Sequence, residues 1–193
     1  AKEALDISNE PAHIKKLYGV DNPVTSDYAT RCIIARRLVE RGVRYVQVLN
    51  VGQSWDQHGS LISALPANCA ATDQPSAALL IDLKQRGLLE DTLVLWNTEF
   101  GRMPFSQSGV GRDHNGGVFA GWMCGAGVKG GVLYGESDPW SWKAATDVTT
   151  TYDFHATVLH LLGIDHERLT VRNNGANRRL TDVHGRVIRE VLA

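Results

Sequence analysis

Apolar residues at Tyr28, Cys32, Ala35 and Val39 recur at helical spacing, after a capping Thr25-Ser26-Asp27 and before Gly42. The segment from Val43 to Val51 then carries Val43, Tyr45, Val46, Val48 and Leu49 and predicts a strand. A second helix is predicted from about Asp73, with Pro75 in its first turn, through Ala78, Leu79, Ile81 and Leu83 to a stop at Gly87. Leu93-Val94-Leu95-Trp96-Asn97 follows as a continuous apolar run, which predicts a buried strand. Strand, helix and apolar strand in that order point to a parallel sheet covered on both faces and joined by a right-handed crossover. The expected fold class is therefore α/β, a mainly parallel sheet flanked by helices.

Further along, Val118 to Cys124, the glycine-rich turn Gly125 to Gly131, and Val132-Leu133-Tyr134 predict strand, turn and strand. A last amphipathic helix is expected from Asp153 to Leu162, capped by Thr150 or Thr151 and ended by Gly163. Residues 1–24, with Pro11, Gly19, Asn22 and Pro23, read as an irregular lead-in with room for one short helix. No internal repeat or low-complexity linker divides the remainder, so residues 25–193 are expected to form one domain.

With 43% hydrophobic and 21% charged residues, the chain falls outside the disordered and coiled-coil classes. Lys and Arg number 20 against 21 Asp and Glu, so the basic field that nucleic acid requires is missing and nucleic acid is excluded as a partner. Apolar runs such as Leu93 to Trp96 fall far short of the roughly 20 residues that span a bilayer, so no membrane span is expected. Ala1 to Asp6 carries no signal-peptide pattern. Cys32, Cys69 and Cys124 lack CxxC spacing and read as structural thiols rather than a disulfide framework or zinc ribbon.

In open parallel sheets ligands bind beyond the carboxyl ends of the strands, which directs attention to the residues after each predicted strand. Trp55-Asp56-Gln57-His58-Gly59 follows the first and Thr98-Glu99-Phe100-Gly101-Arg102 the second, while Gly111-Arg112-Asp113-His114-Asn115 lies in a glycine-rich loop. Carboxylates and imidazoles from separate strand ends suit a divalent cation such as zinc, manganese or magnesium. Structural readings of the same residues stay open: Asp56 and His58 as turn caps, Glu99 as a helix cap or a partner of Arg102, Asp113 and His114 as solvated loop residues.

Other features read as structural. The Gly125 to Gly131 run lacks a Gly-Lys-[Ser/Thr] ending and opens no helix, so it reads as a hairpin turn rather than a phosphate cradle. His155 and His160 fall in the last helix with Val158, Leu159 and Leu162 and read as packing histidines, and His13, His166 and His184 have no clustered partners. No Gly-x-Ser-x-Gly elbow supports a serine hydrolase.

The run Asp91 to Arg102, together with Ala35 to Arg44, Trp55-Asp56-Gln57-His58 and Gly111-Arg112-Asp113-His114, resembles a bacterial family of unknown function described as sulfatase-like, within the alkaline phosphatase superfamily. The resemblance runs from about Thr25 to the C-terminus. It implies a mainly parallel sheet with metal sites at the strand ends, and it carries metal-ligand roles onto Asp56, His58, Glu99 and His114. Arg102, Arg112 and Asp113 are then the expected substrate-binding residues, with the two arginines pairing with the tetrahedral anion because a guanidinium matches its oxygens in a bidentate fork.

Two features depart from the superfamily pattern: the two-residue step from Asp56 to His58 is short, and Glu99-Phe100 stands where an acidic residue and His are usual. The superfamily places its Ser, Thr or formylglycine nucleophile in an N-terminal half, so the chain reads as the C-terminal part of a metal-dependent hydrolase of sulfate or phosphate esters. The catalytic nucleophile is unassigned, and the chain by itself is expected to show little or no turnover. The alternative is a non-catalytic module that binds an anion or glycan. The expected cofactor is a divalent metal, zinc, manganese or calcium. The expected partners are a sulfated or phosphorylated small molecule or glycan and the N-terminal half of the same protein, and an exported, periplasmic location follows from the resemblance alone.

Overall fold

The computed structural model describes residues 2–50, 52–107 and 109–193, which fall into two compact units. The first unit comprises residues 1–89 and 105–113, the second residues 90–104 and 114–193.

The first unit is helical, with α1 (Lys2–Leu5), α2 (Ala12–Tyr18), α3 (Ser26–Glu40) and α4 (Leu61–Gln85). Ile14 and Tyr18 of α2, Ala29, Cys32 and Ile33 of α3, and Ala78 of α4 form its core. The segment 1–24 thus contributes two helices and two core side chains. Gly19 ends α2 at φ +78, and a Cβ there would lie 2.6 Å from Thr25 Oγ1, so the turn requires glycine on two counts. The α4 helix starts at Leu61 instead of near Asp73 and carries Pro66 and Pro75 inside it. Alanine-rich surroundings sustain the helix across the hydrogen bond that each proline deletes.

A buried charge network joins these helices. Arg36 of α3 donates through Nε to Asp82 Oδ2 of α4 (2.9 Å), through Nη2 to Glu10 (2.7 Å) and through Nη1 to Glu40 (2.7 Å). Asp82 also accepts from the Tyr18 hydroxyl (3.0 Å) and from Arg86 Nε (2.7 Å), and Arg37 pairs with Glu10. Burial alone would weaken the Arg36 charge, but Glu10, Glu40 and Asp82 outweigh it and hold the guanidinium protonated. Burial and the Asp82 carboxylate together push the Tyr18 hydroxyl far above its ordinary range.

In the second unit β1 (Val94–Asn97) is the first of eight strands, followed by β2 (Gly101–Arg102), β3 (His114–Asn115), β4 (Gly121–Cys124), β5 (Glu136–Ser137) and β6 (Ala144–Thr146). Helix α5 (Thr151–Leu161) and the hairpin of β7 (Thr170–Asn173) and β8 (Ala176–Arg179) complete it, with a short 3-10 turn at Arg189–Val191. Four two-stranded antiparallel sheets result: β1 with β4, β2 with β3, β5 with β6 and β7 with β8. The α5 helix starts with a reciprocal cap in which Thr150 Oγ1 accepts from the Asp153 N–H and Asp153 accepts from the Thr150 N–H. Asp153 also accepts from the Arg186 N–H (2.8 Å) and Thr157 Oγ1 from the Ile188 N–H (2.9 Å), which ties the C-terminal segment to α5.

The predicted α/β class, and with it the alkaline-phosphatase-like parallel sheet, is overturned. Among the described residues every strand pair of the four sheets is antiparallel. Residues 44–50 lie in no helix or strand, although exposure alternates along 45–50 as in a strand, and Val51 lies outside the described residues. The run read as a buried parallel strand, β1, is half to largely exposed and pairs with β4 in the register Val94↔Cys124 to Asn97↔Gly121. An apolar run specifies pleated backbone but not which neighbour it joins, and a two-stranded antiparallel ribbon leaves faces open to water. Val132-Leu133-Tyr134 is likewise not a strand, and pairing begins at Glu136.

Candidate metal centre

In the first unit, Trp55-Asp56-Gln57-His58 folds into successive tight turns, with the N–H of Asp56 bonded to Gln53 O (3.0 Å), that of Gln57 to Trp55 O (3.0 Å) and that of His58 to Asp56 O (3.1 Å). These turns place the two sequence-predicted ligands together, with His58 Nε2 3.2 Å from Asp56 Oδ1. The segment 105–113 is stitched onto the same loop. The Arg112 N–H donates to Gln57 O (2.9 Å), and the Leu61 N–H to Val110 O (3.1 Å). Gly111 lies so close to the loop backbone that a Cβ would come within 2.0 Å of His58 O, so this approach admits only glycine.

The stitching delivers Asp113. One of its oxygens accepts from the Gln107 N–H (2.8 Å), and the other lies 3.3 Å from His58 Nδ1. Both ring nitrogens of His58 therefore face a carboxylate oxygen. A neutral imidazole can donate to only one of them, which leaves the other nitrogen lone pair opposed to oxygen. Asp56 and His58 are both exposed, so the group is open to a solvent-borne ion.

In the second unit, β2 and β3 set Arg102 directly opposite His114. The His114 ring lies 4.3 Å from the ring of Phe100, over which the Arg102 guanidinium also sits at 5.9 Å. Phe100 is thus in ring contact with an imidazole and within cation–π distance of a guanidinium. Glu99 is exposed in the bend that precedes Phe100, and that bend is closed by Thr98 Oγ1 donating to Phe100 O (2.8 Å). Arg112 is half-buried, with Nη1 donating to Gly111 O (2.7 Å).

The seven sequence-predicted residues therefore fall into an Asp56, His58, Arg112 and Asp113 group in the first unit and a Glu99, Arg102 and His114 group in the second. The pairing of Asp113 with His58 across 55 positions is not read from the sequence, although Gly111 beside it is the signal of a close backbone approach. His155 and His160, expected to pack, are exposed on α5. The buried histidine is His166, whose Nδ1 lies 2.9 Å from Thr181 Oγ1.

The family described as "Protein of unknown function (DUF1501)" matches residues 1–192, which takes in both units. The chain belongs to the DUF1501 family. No curated protein and no solved structure matches it. In this DUF1501 chain Asp56, His58, Glu99, Arg102, Arg112, Asp113 and His114 all lie within the matched span.

Proposed function

We propose that this chain holds a divalent metal that serves the hydrolysis of sulfate or phosphate esters, with Asp56 and His58 of the first unit as its ligands. The observation that supports the reading is His58 set between the Asp56 and Asp113 carboxylates, an oxygen and nitrogen donor set suited to zinc, manganese or calcium. Asp113 orients the His58 ring from the opposite nitrogen, the role an outer carboxylate commonly takes at a ligating histidine. The proposal rests on these side chains and not on a superfamily sheet.

When bound, such a metal lowers the pKa of an attacking oxygen and offsets charge on the ester. Arg112, in the Asp113 segment, supplies a guanidinium group for the oxygens of a sulfate or phosphate.

Calorimetric titration of zinc, manganese and calcium into the wild type, Asp56→Asn and His58→Ala, with circular dichroism as the folding control, tests the metal site. Loss of an orienting group costs about 10 to 100-fold in affinity, so loss of a ligand is expected to cost at least that. Unchanged affinity in folded Asp56→Asn and His58→Ala proteins overturns the reading. Aryl sulfate and aryl phosphate turnover, measured on the natural protein that contains this chain, tests the chemistry. Metal-dependent anion binding without turnover there assigns the non-catalytic binding module instead.

A further inference from the structure

The turn between β5 and β6 reads Asp138-Pro139-Trp140-Ser141-Trp142-Lys143, and Trp140 is 79% exposed at its tip. An indole left in water is unfavourable, and a mobile loop would fold it away. This loop is held instead. Asp138 Oδ1 accepts from the N–H groups of Trp140 (3.2 Å) and Trp142 (2.8 Å), and the Ser141 N–H donates to Asp138 O (3.0 Å). The Asp138 N–H donates to Lys143 O (2.8 Å), which closes the turn. Ser141 sits at φ +54, a left-handed conformation that a serine adopts only where its surroundings impose it.

The imposing residue is Asn115 of β3. It is almost fully buried, and its amide is satisfied at both ends: Oδ1 accepts from the Gly117 N–H (2.9 Å), and Nδ2 donates to Ser141 O (3.0 Å) and Trp142 O (3.2 Å). The Ala144 N–H donates to Gly117 O (3.1 Å), and a Cβ on Gly117 would come within 2.9 Å of Trp142 O. The tryptophan turn is therefore built onto β3, the strand that carries His114 and Asn115.

We infer that Trp140 is a stacking platform for the pyranose ring of an acidic saccharide, with exposed Lys143 beside it for the sulfate or phosphate group. A sugar ring offers an apolar C–H face for the indole and a rim of hydroxyl groups for water and polar neighbours. It matches an aromatic tip flanked by Asp138, Ser141 and Lys143, with the less exposed Trp142 in the same turn. A protein hot spot instead needs a surrounding ring of contacts that excludes water. Because the loop is already ordered, stacking on it loses little conformational entropy. The assignment deepens the proposed ester hydrolysis by naming the organic part of its substrate, and it rests on that reading only for the role of the bound sugar, not for binding itself.

The test is titration of a chondroitin sulfate hexasaccharide and its desulfated counterpart, monitored by calorimetry in the presence of chelator, into the wild type, Trp140→Ala, Trp140→Tyr and Lys143→Ala. Trp140→Ala is expected to lose about tenfold or more in affinity for both sugars, Trp140→Tyr to regain part of it, and Lys143→Ala to lose more affinity for the sulfated sugar than for the desulfated one, whose uronate carboxylates remain. Asn115→Ala, confirmed folded by circular dichroism, is expected to weaken binding with Trp140 still present. Chelator separates the two readings, since sugar binding that survives it stands even if the metal site fails. The inference is overturned by equal affinity in the wild type and Trp140→Ala. It is equally overturned by no sugar binding at all, whether Trp140 then proves to drive adsorption to phosphatidylcholine vesicles or dimerisation in sedimentation.

Discussion

Arg36 Nε donates to Asp82 Oδ2 at 2.9 Å between α3 and α4, and neither side chain is more than 2% exposed. Asp82 also takes the hydroxyl of Tyr18 and the guanidinium of Arg86, so one carboxylate receives donors from three residues. Removing one member of such a buried pair strands the other charge, a loss that commonly costs about 3 to 5 kcal/mol. Asp82→Asn and Arg36→Met are each expected to lower unfolding free energy by that order in urea titrations. The double variant Arg36→Met/Asp82→Asn is expected to lose less than the sum, because both ends of the interaction are gone.

Acid should weaken both units. At Glu10 burial raises the pKa, but the Arg36 and Arg37 guanidiniums outweigh it and hold the carboxyl below its ordinary 4.5. At Asp153 burial is outweighed by the N–H groups of Thr150 and Arg186, and the carboxyl falls below its ordinary 3.8. A carboxylate depressed on folding contributes its stability in full above the unfolded value and loses it as pH falls through the folded one. Urea midpoints are thus expected to be flat for these groups above about pH 5 and to fall below the mid-4 range. Glu10→Gln is expected to flatten the upper part of that decline.

Gly111→Ala is expected to damage the loop around His58 more than its small volume suggests. The added methyl group has no room against His58 O, and overpacking of this kind costs about 1 to 3 kcal/mol. Gly116→Ala, where a Cβ meets nothing within 4 Å, serves as the control and should leave stability nearly unchanged. Equal thermal midpoints for the two variants would show that the 105–113 segment does not lie against His58.

The three thiols should react in order of exposure. Cys69 is exposed, Cys124 half-buried and Cys32 buried, and burial pushes the Cys32 thiol up to about 12. Iodoacetamide at pH 8 followed by peptide mapping is expected to modify Cys69 first and Cys32 only on unfolding. The raised thiol also makes a contribution to stability that is complete below its ordinary 9.0 and is lost as pH climbs toward 12.

Two helices, α3 and α5, were legible in the sequence, whereas α1 and α2 lie in the segment read as an irregular lead-in and α4 starts twelve residues before its expected start near Asp73. The α3 period and the cap of α5 rest on local spacing, and both helices appear within a residue or two of where that spacing sets them. Strand pairing was not legible, because the apolar patterns of 43–50 and 93–97 carry no information about which strand accepts which. The burial of Arg36 and Asp82 was hidden for a related reason. Each is charged and reads as a solvated face, and only the counter-charges brought by remote segments make an interior position affordable. At the candidate site, Asp56 with His58 follows from two-residue spacing, whereas Asp113 reaches His58 only through long-range backbone bonds.

The chain passes between the two units at residues 89–90, 104–105 and 113–114, so neither unit is a continuous stretch of sequence. A recombination event that broke the gene after residue 89 would carry off four helices but leave behind the nine residues, 105–113, that bring Gly111 and Asp113 to His58. A single splice that keeps the helical unit whole must fall after residue 113, and it carries residues 90–104 of the second unit along. The interleaving makes the stretch through residue 113, and not the helices alone, the piece that is inherited with this arrangement intact.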